Sequence, residues 1–326
     1  LKALIEKLAN QRILVVGDVI LDEYLIGQAT RMSREAPVPV LEYEARRLIP
    51  GGAANPAANI TALGSHAVQI GVTGADDFAV QLCRVIRERG IDTAGLVKDA
   101  GRPTTVKTRI MAQMGLRFPQ QVARLDRLSR EPISATVEAD ILAEIERHLP
   151  EADALLFSDY HCGLLTPALI AAVCDRAAAH RVLLTADAQG EFAKYHAFSL
   201  VKCNADEART YLDRDLTTDA DFAQAARDLC AALQLTGGMV ITRGADGASY
   251  ATVAGDAGHA PAPSVTDVYD TVGAGDTTTA VLTLAISGGA TYAQATTLAN
   301  YASGLVVRRV GNYAPSPLEI LQAIKG

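Results

Sequence analysis

Basic residues are in deficit: 30 Lys and Arg face 37 Asp and Glu, giving a net charge of −7. Such a balance argues against a general nucleic-acid or anionic-membrane surface, so an anionic ligand needs a local basic patch. The five cysteines (Cys83, Cys162, Cys174, Cys203 and Cys230) are odd in number and scattered, without a CxxC pair. Neither a zinc site nor a disulfide frame fits them, whereas reduced and mostly buried thiols do. No apolar run reaches the length of a membrane span. Leu1 to Gln11 alternates charge with Leu and Ile at helical spacing, the pattern of an amphipathic helix and not of a signal peptide. Internal repeats, low-complexity segments and the phosphate-binding string GxxxxGK[ST] are all missing. The expectation is a soluble cytoplasmic protein that contacts neither membrane nor nucleic acid.

What is present is a chain of 326 residues, 49% hydrophobic and 21% charged, enough to bury a large core. Arg12 to Gly17 is a short continuous apolar run, as in a strand buried on both faces. Ala67 to Gly71, Ala154 to Phe157, Val182 to Ala186, Leu200 to Val201 and Met239 to Thr242 read the same way. Between them, Asp76 to Arg89, Thr166 to Ala179, Ala220 to Leu233, Ala274 to Ser287 and Tyr292 to Arg308 read as helices. A further helix, Pro315 to Ile324, closes the chain. Repeated βα units predict an α/β fold with a mainly parallel sheet and helices on both faces. Thr104 to Met114 and Gln121 to Leu125 instead alternate polar and apolar residues, a half-exposed pattern. With Val38 to Tyr43, whose Pro37 and Pro39 suit an edge, they predict a small lid sheet. Gly51 to Gly64 reads as a helix opened by two glycines.

The stretch Asp270-Thr271-Val272-Gly273-Ala274-Gly275-Asp276 stands between an expected strand, Pro263 to Val268, and a helix. Its glycines allow a sharp turn that points successive N–H groups outward at a helix start, a place suited to phosphate or an oxyanion. A carboxylate beside that anion hole repels a ground-state phosphate. It makes sense as the group taking a proton from a nucleophile that attacks phosphorus. Asp276 is thus the candidate general base, with the Gly273, Ala274 and Gly275 backbone as the anion hole.

That string resembles the D-T-x-G-A-G-D signature of the ribokinase-like (PfkB) sugar kinases. Gly17-Asp18, Gly51-Gly52-Ala53-Ala54-Asn55, Asn204-Ala205-Asp206-Glu207 and Thr242-Arg243-Gly244 follow in the family's order. The resemblance implies one ribokinase-like domain over 1–326: a three-layer α/β/α core with a small β-sheet lid formed by segments about 20–47 and 102–126. It also implies ATP as co-substrate, Mg²⁺, and a sugar or sugar phosphate as acceptor. By the same resemblance a monovalent cation such as K⁺ can sit by the anion-hole loop.

Asn204 and Glu207, three apart after a strand, match the family's N-x-x-E and suit an oxygen-ligated Mg²⁺ held through its waters. The same pattern also marks a helix cap or a solvated face. The segment Thr242, Arg243, Gly244 to Gly247 resembles a nucleotide-binding turn, and it also reads as a hairpin returning through Ala248 to Val253. Asn300 and Ser303 match positions that border the adenine pocket. Asp18 and Asp22, at the end of the first strand, are acceptors for sugar hydroxyls, with Gly51, Gly52 and Asn55 alongside. Asp22 reads equally as a solvated loop residue.

Within the family the chain is similar to the D-glycero-β-D-manno-heptose-7-phosphate kinases, the kinase half of the bifunctional ADP-heptose synthesis enzymes. The matching strings are Val16 to Asp22, Ser33 to Val40, Pro50 to Asn55, Arg124-Leu125-Asp126, and Ser158-Asp159-Tyr160 with Gly163. Lys107, Arg109 and Arg124 offer charge for a substrate phosphate. Two lysines of that branch are replaced: D-Y-x-K-G reads Asp159-Tyr160-His161-Cys162-Gly163 here, and D-P-K-G reads Asp187-Ala188-Gln189-Gly190. Lys202-Cys203 also stands where Thr-Pro is common. A kinase of another sugar or of a nucleoside, and a catalytically silent sugar- or nucleotide-binding regulator, are the competing readings. Exposed lid edges predict a homodimer joined through the lid sheets.

Overall fold

The computed structural model describes residues 1–115, 119–264, 268–309 and 311–325. Helix α1 (Lys2–Lys7) and strand β1 (Arg12–Gly17) lead into two long strands, β2 (Val19–Met32) and β3 (Pro39–Gly52), and then α2 (Ala54–Ala62). Next come β4 (His66–Thr73), α3 (Asp77–Arg87), β5 (Leu96–Lys98), β6 (Val106–Gln113) and β7 (Gln120–Arg127). Strand and helix then alternate through α4 (Ala135–His148), β8 (Ala154–Ser158), α5 (Pro167–His180), β9 (Leu183–Asp187), β10 (Leu200–Asn204), α6 (Ala205–Leu212) and α7 (Asp219–Ala232). The chain closes with β11 (Gly238–Thr242), β12 (Ala248–Thr252), β13 (Ala257–Ala260), α8 (Ala274–Ser287), α9 (Tyr292–Val306) and α10 (Pro317–Lys325).

Nine strands form the main sheet in the order β13-β12-β11-β10-β9-β8-β1-β4-β5. Pairing is parallel from β11 to β5 and antiparallel through β12 and β13. The short apolar strands send alternate residues to opposite faces. Leu14, Val16, Leu155 and Phe157 join one core with helices α4 to α7. Ile13, Val15, Ala154 and Leu156 join the other, with α1 to α3 and α8 to α10. Strand β1 lies between β4 and β8, so the winding direction reverses there. Such a reversal opens a crevice at the carboxyl ends of the strands, where ligands of α/β sheets bind. Gly17 and Asp18 stand at that end.

The lid is a second sheet, β3-β2-β6-β7, in which the two stretches that the alternating pattern marks become β6 and β7. Its strands exceed the expectation. Val38 to Tyr43 is the outer part of the fourteen-residue β3, which pairs along its length with β2. Gly51 and Gly52 do not open a helix. They pair with Ile20 and Val19 at the end of β3, and α2 begins two residues later. Of the expected strand Pro263 to Val268, positions 265–267 lie outside the described residues, and the described positions on either side form no strand. The hairpin reading of Ala248 to Val253 holds as the antiparallel pair β11–β12.

Phe157 anchors the first core, fully buried with its ring 5.4 Å from that of Phe198. Phe157→Ala should cost about 3–5 kcal/mol of unfolding free energy, read as a lower denaturation midpoint in urea. A loss below about 1 kcal/mol would mean that this core is not packed as described.

Candidate active site

Most of the later helices start with a side-chain cap; Ser134, Thr166, Thr218 and Thr291 each accept from a backbone N–H of the first turn. Helix α8 differs. It starts at Gly273, in the left-handed region with φ 82°, and has no side-chain cap. Its first turn presents N–H groups and the positive end of the helix dipole to the crevice. Asp276 lies in that first turn. Asn55 Nδ2, from α2, donates to Asp276 Oδ2 at 2.6 Å, and the Tyr160 hydroxyl donates to Oδ1 at 2.8 Å. Burial first, and the charge of Asp187 second, raise the Asp276 carboxyl to about 6. The bonds from Asn55 and Tyr160 and the charge of Lys202 work in the opposite direction. A base poised near neutrality suits proton removal from a hydroxyl.

On the acceptor side, Asp18 is buried and one of its oxygens is taken. Oδ2 accepts from the backbone N–H of Tyr160 at 2.9 Å and of Cys162 at 3.1 Å. It therefore fixes the loop that carries Tyr160. Asp22 is buried too, and the solvated-loop reading fails. Arg109 donates to its Oδ1 and Asn312 Nδ2 to its Oδ2. Gly51 makes this possible, since a Cβ there would lie 2.1 Å from Asp22 Oδ2. Gly52 ends β3 beside Asp18, whose backbone oxygen accepts from Ala53. Lys107 stands over the Tyr160 ring, 5.3 Å from its centroid, on the residue whose hydroxyl bonds the base. Arg124 lies farther out on β7, half-exposed, with its guanidinium bonded to both oxygens of Asp126 at 2.9 Å.

Beneath the turn lies a buried ion pair. Lys202 Nζ bonds both oxygens of Asp187, at 2.8 and 2.9 Å, and Thr279 Oγ1 of α8 donates to the same carboxylate at 3.0 Å. Burial disfavours the charged lysine, but the contact with Asp187 outweighs it and the pKa lies above the ordinary value. Cys162 is buried, as packing predicts, and burial pushes its thiol up to about 11.

Asn204 and Glu207 form a reciprocal cap at the start of α6: Asn204 Oδ1 accepts from Glu207 N at 2.9 Å, and Glu207 Oε2 from Asn204 N at 2.8 Å. Burial raises the Glu207 carboxyl, and the Asn204 backbone bond and Lys202 partly offset it. One amide and one carboxylate, both half-engaged, are too few donors for a cage of protein ligands. They fit Mg²⁺, which keeps several waters and takes the remaining ligands from phosphates. Among the described residues, three ligand atoms converge elsewhere, at Asp159, His161 and Glu191. Lys194 bonds both of those carboxylates, so an ammonium already fills the space.

The nucleotide residues largely converge. Thr242, Gly244, Gly247, Asn300 and Ser303 line one cleft of about 540 Å³ that runs to Ala274 and Gly275. Asn300 also donates to the backbone oxygen of Ala260 at 2.8 Å, holding the wall of that cleft. Asn204, also expected at the nucleotide, lines a separate hollow with Glu207 and Gln189, and Arg243 is the other exception. Its guanidinium turns into the protein, bonded to Asp219 at 2.6 Å and stacked 4.3 Å from the Phe222 ring centroid. It offers no charge to a phosphate, because Asp219 and Phe222 on α7 hold it away. Sequence reasoning passed over Tyr160, Asp187, Lys202 and Asn312 as site residues. Tyr160, Asp187 and Lys202 appear in it only inside matched or departing strings.

The fold and this crevice define a sugar kinase of the ribokinase type. The model of the pfkB family of carbohydrate kinases matches residues 10–319, and the chain belongs to that family. Among curated proteins it is 38% identical to the bifunctional protein HldE of Hyphomonas neptunium, over 99% of this chain and 65% of that protein. It is also 38% identical to the Caulobacter vibrioides HldE, over 96% of this chain and 63% of the relative. The chain thus spans less than two thirds of these relatives' length. Solved structures of the same fold include Arabidopsis thaliana ribokinase with ribose and ATP (TM-score 0.73, 16% identity, 98% of this chain and 99% of that one). Escherichia coli phosphofructokinase-2 with potassium is another (TM-score 0.75, 19% identity, 97% and 98%). With the family comes the activity: the chain is an ATP-dependent carbohydrate kinase.

The Tyr160 bond lowers the Asp276 pKa, so Tyr160→Phe should move the acid limb of the turnover–pH profile to higher pH. An unmoved limb in that variant would show that the phenol does not bond the base in solution.

Proposed function

We propose that the chain transfers the γ-phosphoryl group of ATP to the C1 hydroxyl of a heptose 7-phosphate. The observation that carries the chemistry is Asp276, raised to about 6 and seated in the first turn of a helix that lacks a side-chain cap. The acceptor oxygen forms its bond to the γ-phosphorus while its proton passes to Asp276. The bond from that phosphorus to the bridging oxygen breaks, and ADP leaves with the electron pair. Backbone N–H groups of Gly273 and Gly275 face the charge that builds up on the transferring group, whereas that of Ala274 donates to the Thr271 oxygen at 3.3 Å. Asn204 and Glu207 would hold Mg²⁺, which when bound neutralises phosphate charge. Thr242, Gly244, Gly247, Asn300 and Ser303 form the nucleotide cleft. Asp18, Asp22, Gly51, Gly52 and Asn55 shape the acceptor side.

Support for a phosphorylated acceptor comes from Lys107 beside Tyr160, while Arg124 at the lid edge is held by Asp126. The similarity to the HldE proteins over nearly the whole chain supports the heptose. A silent regulator is disfavoured because base, anion hole and N-x-x-E are all intact. The reading takes 1–326 as one domain and includes a monovalent cation beside the anion-hole loop, tested by turnover in K⁺ against Na⁺. It also includes a homodimer through the lid. Among the described residues β3 and β7 have unpaired edges, and Met32, Tyr43 and Leu125 are exposed on the lid strands. Light scattering at the monomer mass would remove the dimer.

Asp276→Asn should lower turnover by about 10²–10⁴-fold while ADP and acceptor binding persist. Turnover that survives this change would sink the mechanism. In the native enzyme, activity should fall tenfold per unit as the pH drops below about 6, because the base must be unprotonated to accept. ADP release with heptose 7-phosphate, fructose 1- and 6-phosphates, ribose, fructose and adenosine decides the acceptor. Turnover with a neutral sugar or a nucleoside in place of the heptose would overturn the substrate assignment.

A further inference from the structure

Lys202 is 6% exposed, a lysine inside the core, and its charge needs a reason. It sits on β10 as the register partner of Asp187 on β9, so the ion pair spans two parallel strands at their carboxyl ends. The ammonium does not only face Asp187. It lies 3.2 Å from the place where a side chain on Gly275 would begin, directly against the first turn of α8. Any larger residue at 275 would press on it, so the glycine and the lysine fit each other. Asp187 is anchored from the same helix by Thr279, which fixes the pair against the turn.

Apart from Lys107, which stands over the Tyr160 ring on the acceptor side of the base, the cations around the crevice are committed. Arg243 is held by Asp219, Arg109 by Asp22, Arg124 by Asp126 and Lys194 by Asp159. Positions 162 and 189 carry a cysteine and a glutamine, neither of them a cation. Two carboxylates stand at the backbone anion hole, Asp276 in its own first turn and Asp187 against the same helix. In a dry site a fixed cation acts over several ångströms with little screening.

We propose that Lys202 supplies the fixed positive charge of the phosphoryl-transfer centre, acting from beneath the Gly273–Gly275 turn on the negative charge that grows on the transferring group. It is a positioning and electrostatic residue, because it touches the turn and not the reacting atoms. Asp187 orients it. The inference rests on the kinase activity and not on the identity of the acceptor, so the acceptor is whichever sugar of the panel the native enzyme turns over.

The test pairs Lys202→Met with the double variant D187N/K202M, which removes both charges and leaves no stranded carboxylate. Melting temperature, kcat and KM are measured with ATP and Mg²⁺. Calorimetry compares ADP alone with ADP plus aluminium fluoride, a mimic of the transferring group, in the presence of acceptor. The double variant should melt within a few degrees of the native enzyme and bind ADP alike. It should lose about 100-fold in kcat with KM for ATP within about threefold, and lose the added affinity for aluminium fluoride by a similar factor. Removing Asp187 alone favours an anionic group, so a fall in the double variant belongs to the lysine. Turnover and aluminium fluoride affinity within about threefold of native would overturn the proposal and leave Lys202 as a partner for Asp187 only. Native turnover that fails with heptose 7-phosphate but succeeds with another acceptor would change the substrate and leave this test in force.

Discussion

The structure turns on keeping a carboxylate usable inside a buried, anion-binding crevice. Asp276 sits in the first turn of α8, where the helix dipole favours its charged form. Burial and the nearby Asp187 act against it, and the balance leaves it titrating close to neutrality. A lower pKa would make it a poor acceptor of protons, and a much higher one would leave it protonated at work. The balance depends on groups far apart in the chain. Asn55 is 221 positions away and Tyr160 is 116. Both arrive because β1 is the switch point of the sheet: α2 returns on one side of it and the loop after β8 on the other.

The acceptor side shows the same economy. Asp18 spends one carboxylate oxygen on two backbone N–H groups, and so it builds the loop that delivers Tyr160 to Asp276. Asp22 is tied to Arg109 of β6 and to Asn312 near the last helix, which locks lid, core and anion-hole turn together at one carboxylate. Asn312 also lies close to Gly273, whose absent side chain would meet its Oδ1 at 3.3 Å.

Much of this was legible in the sequence, for physical reasons. Apolar runs of four to six residues separated by capped helices can hardly be other than buried parallel strands, and alternating charge in 104–125 marks a sheet wet on one side. The glycine-rich turn with its aspartate was legible because few other roles need that string. Other features were not. The length of β2 and β3 was hidden by their mixed composition and by irregular register at Gly27 and Ala29, which break the period of two. Arg243 follows a glycine-turn pattern locally, yet its position is set by Asp219 and Phe222 on another helix, which no local pattern records. Of the two readings of N-x-x-E, the structure shows the cap at Asn204 and Glu207, and the oxygen-donor reading belongs to the proposed function.

Lys202 was the least legible, since a lysine in a strand ordinarily marks an exposed face. Its burial calls for an account that stability cannot give. A buried ion pair gains little over an apolar pair of the same volume, because desolvation offsets the attraction, while losing one partner costs about 3–5 kcal/mol. Leu200 and Val201 on the same strand show what the core accepts without that risk. A pair that is costly to break and gives little net stability is best explained by where its charge points, and here it points at the Gly273–Gly275 turn, which the proposed mechanism sets against the transferring phosphoryl group. Asp187, Lys202 and Thr279 then form one unit with α8, and the anion hole is an assembly of backbone dipoles standing on an ammonium.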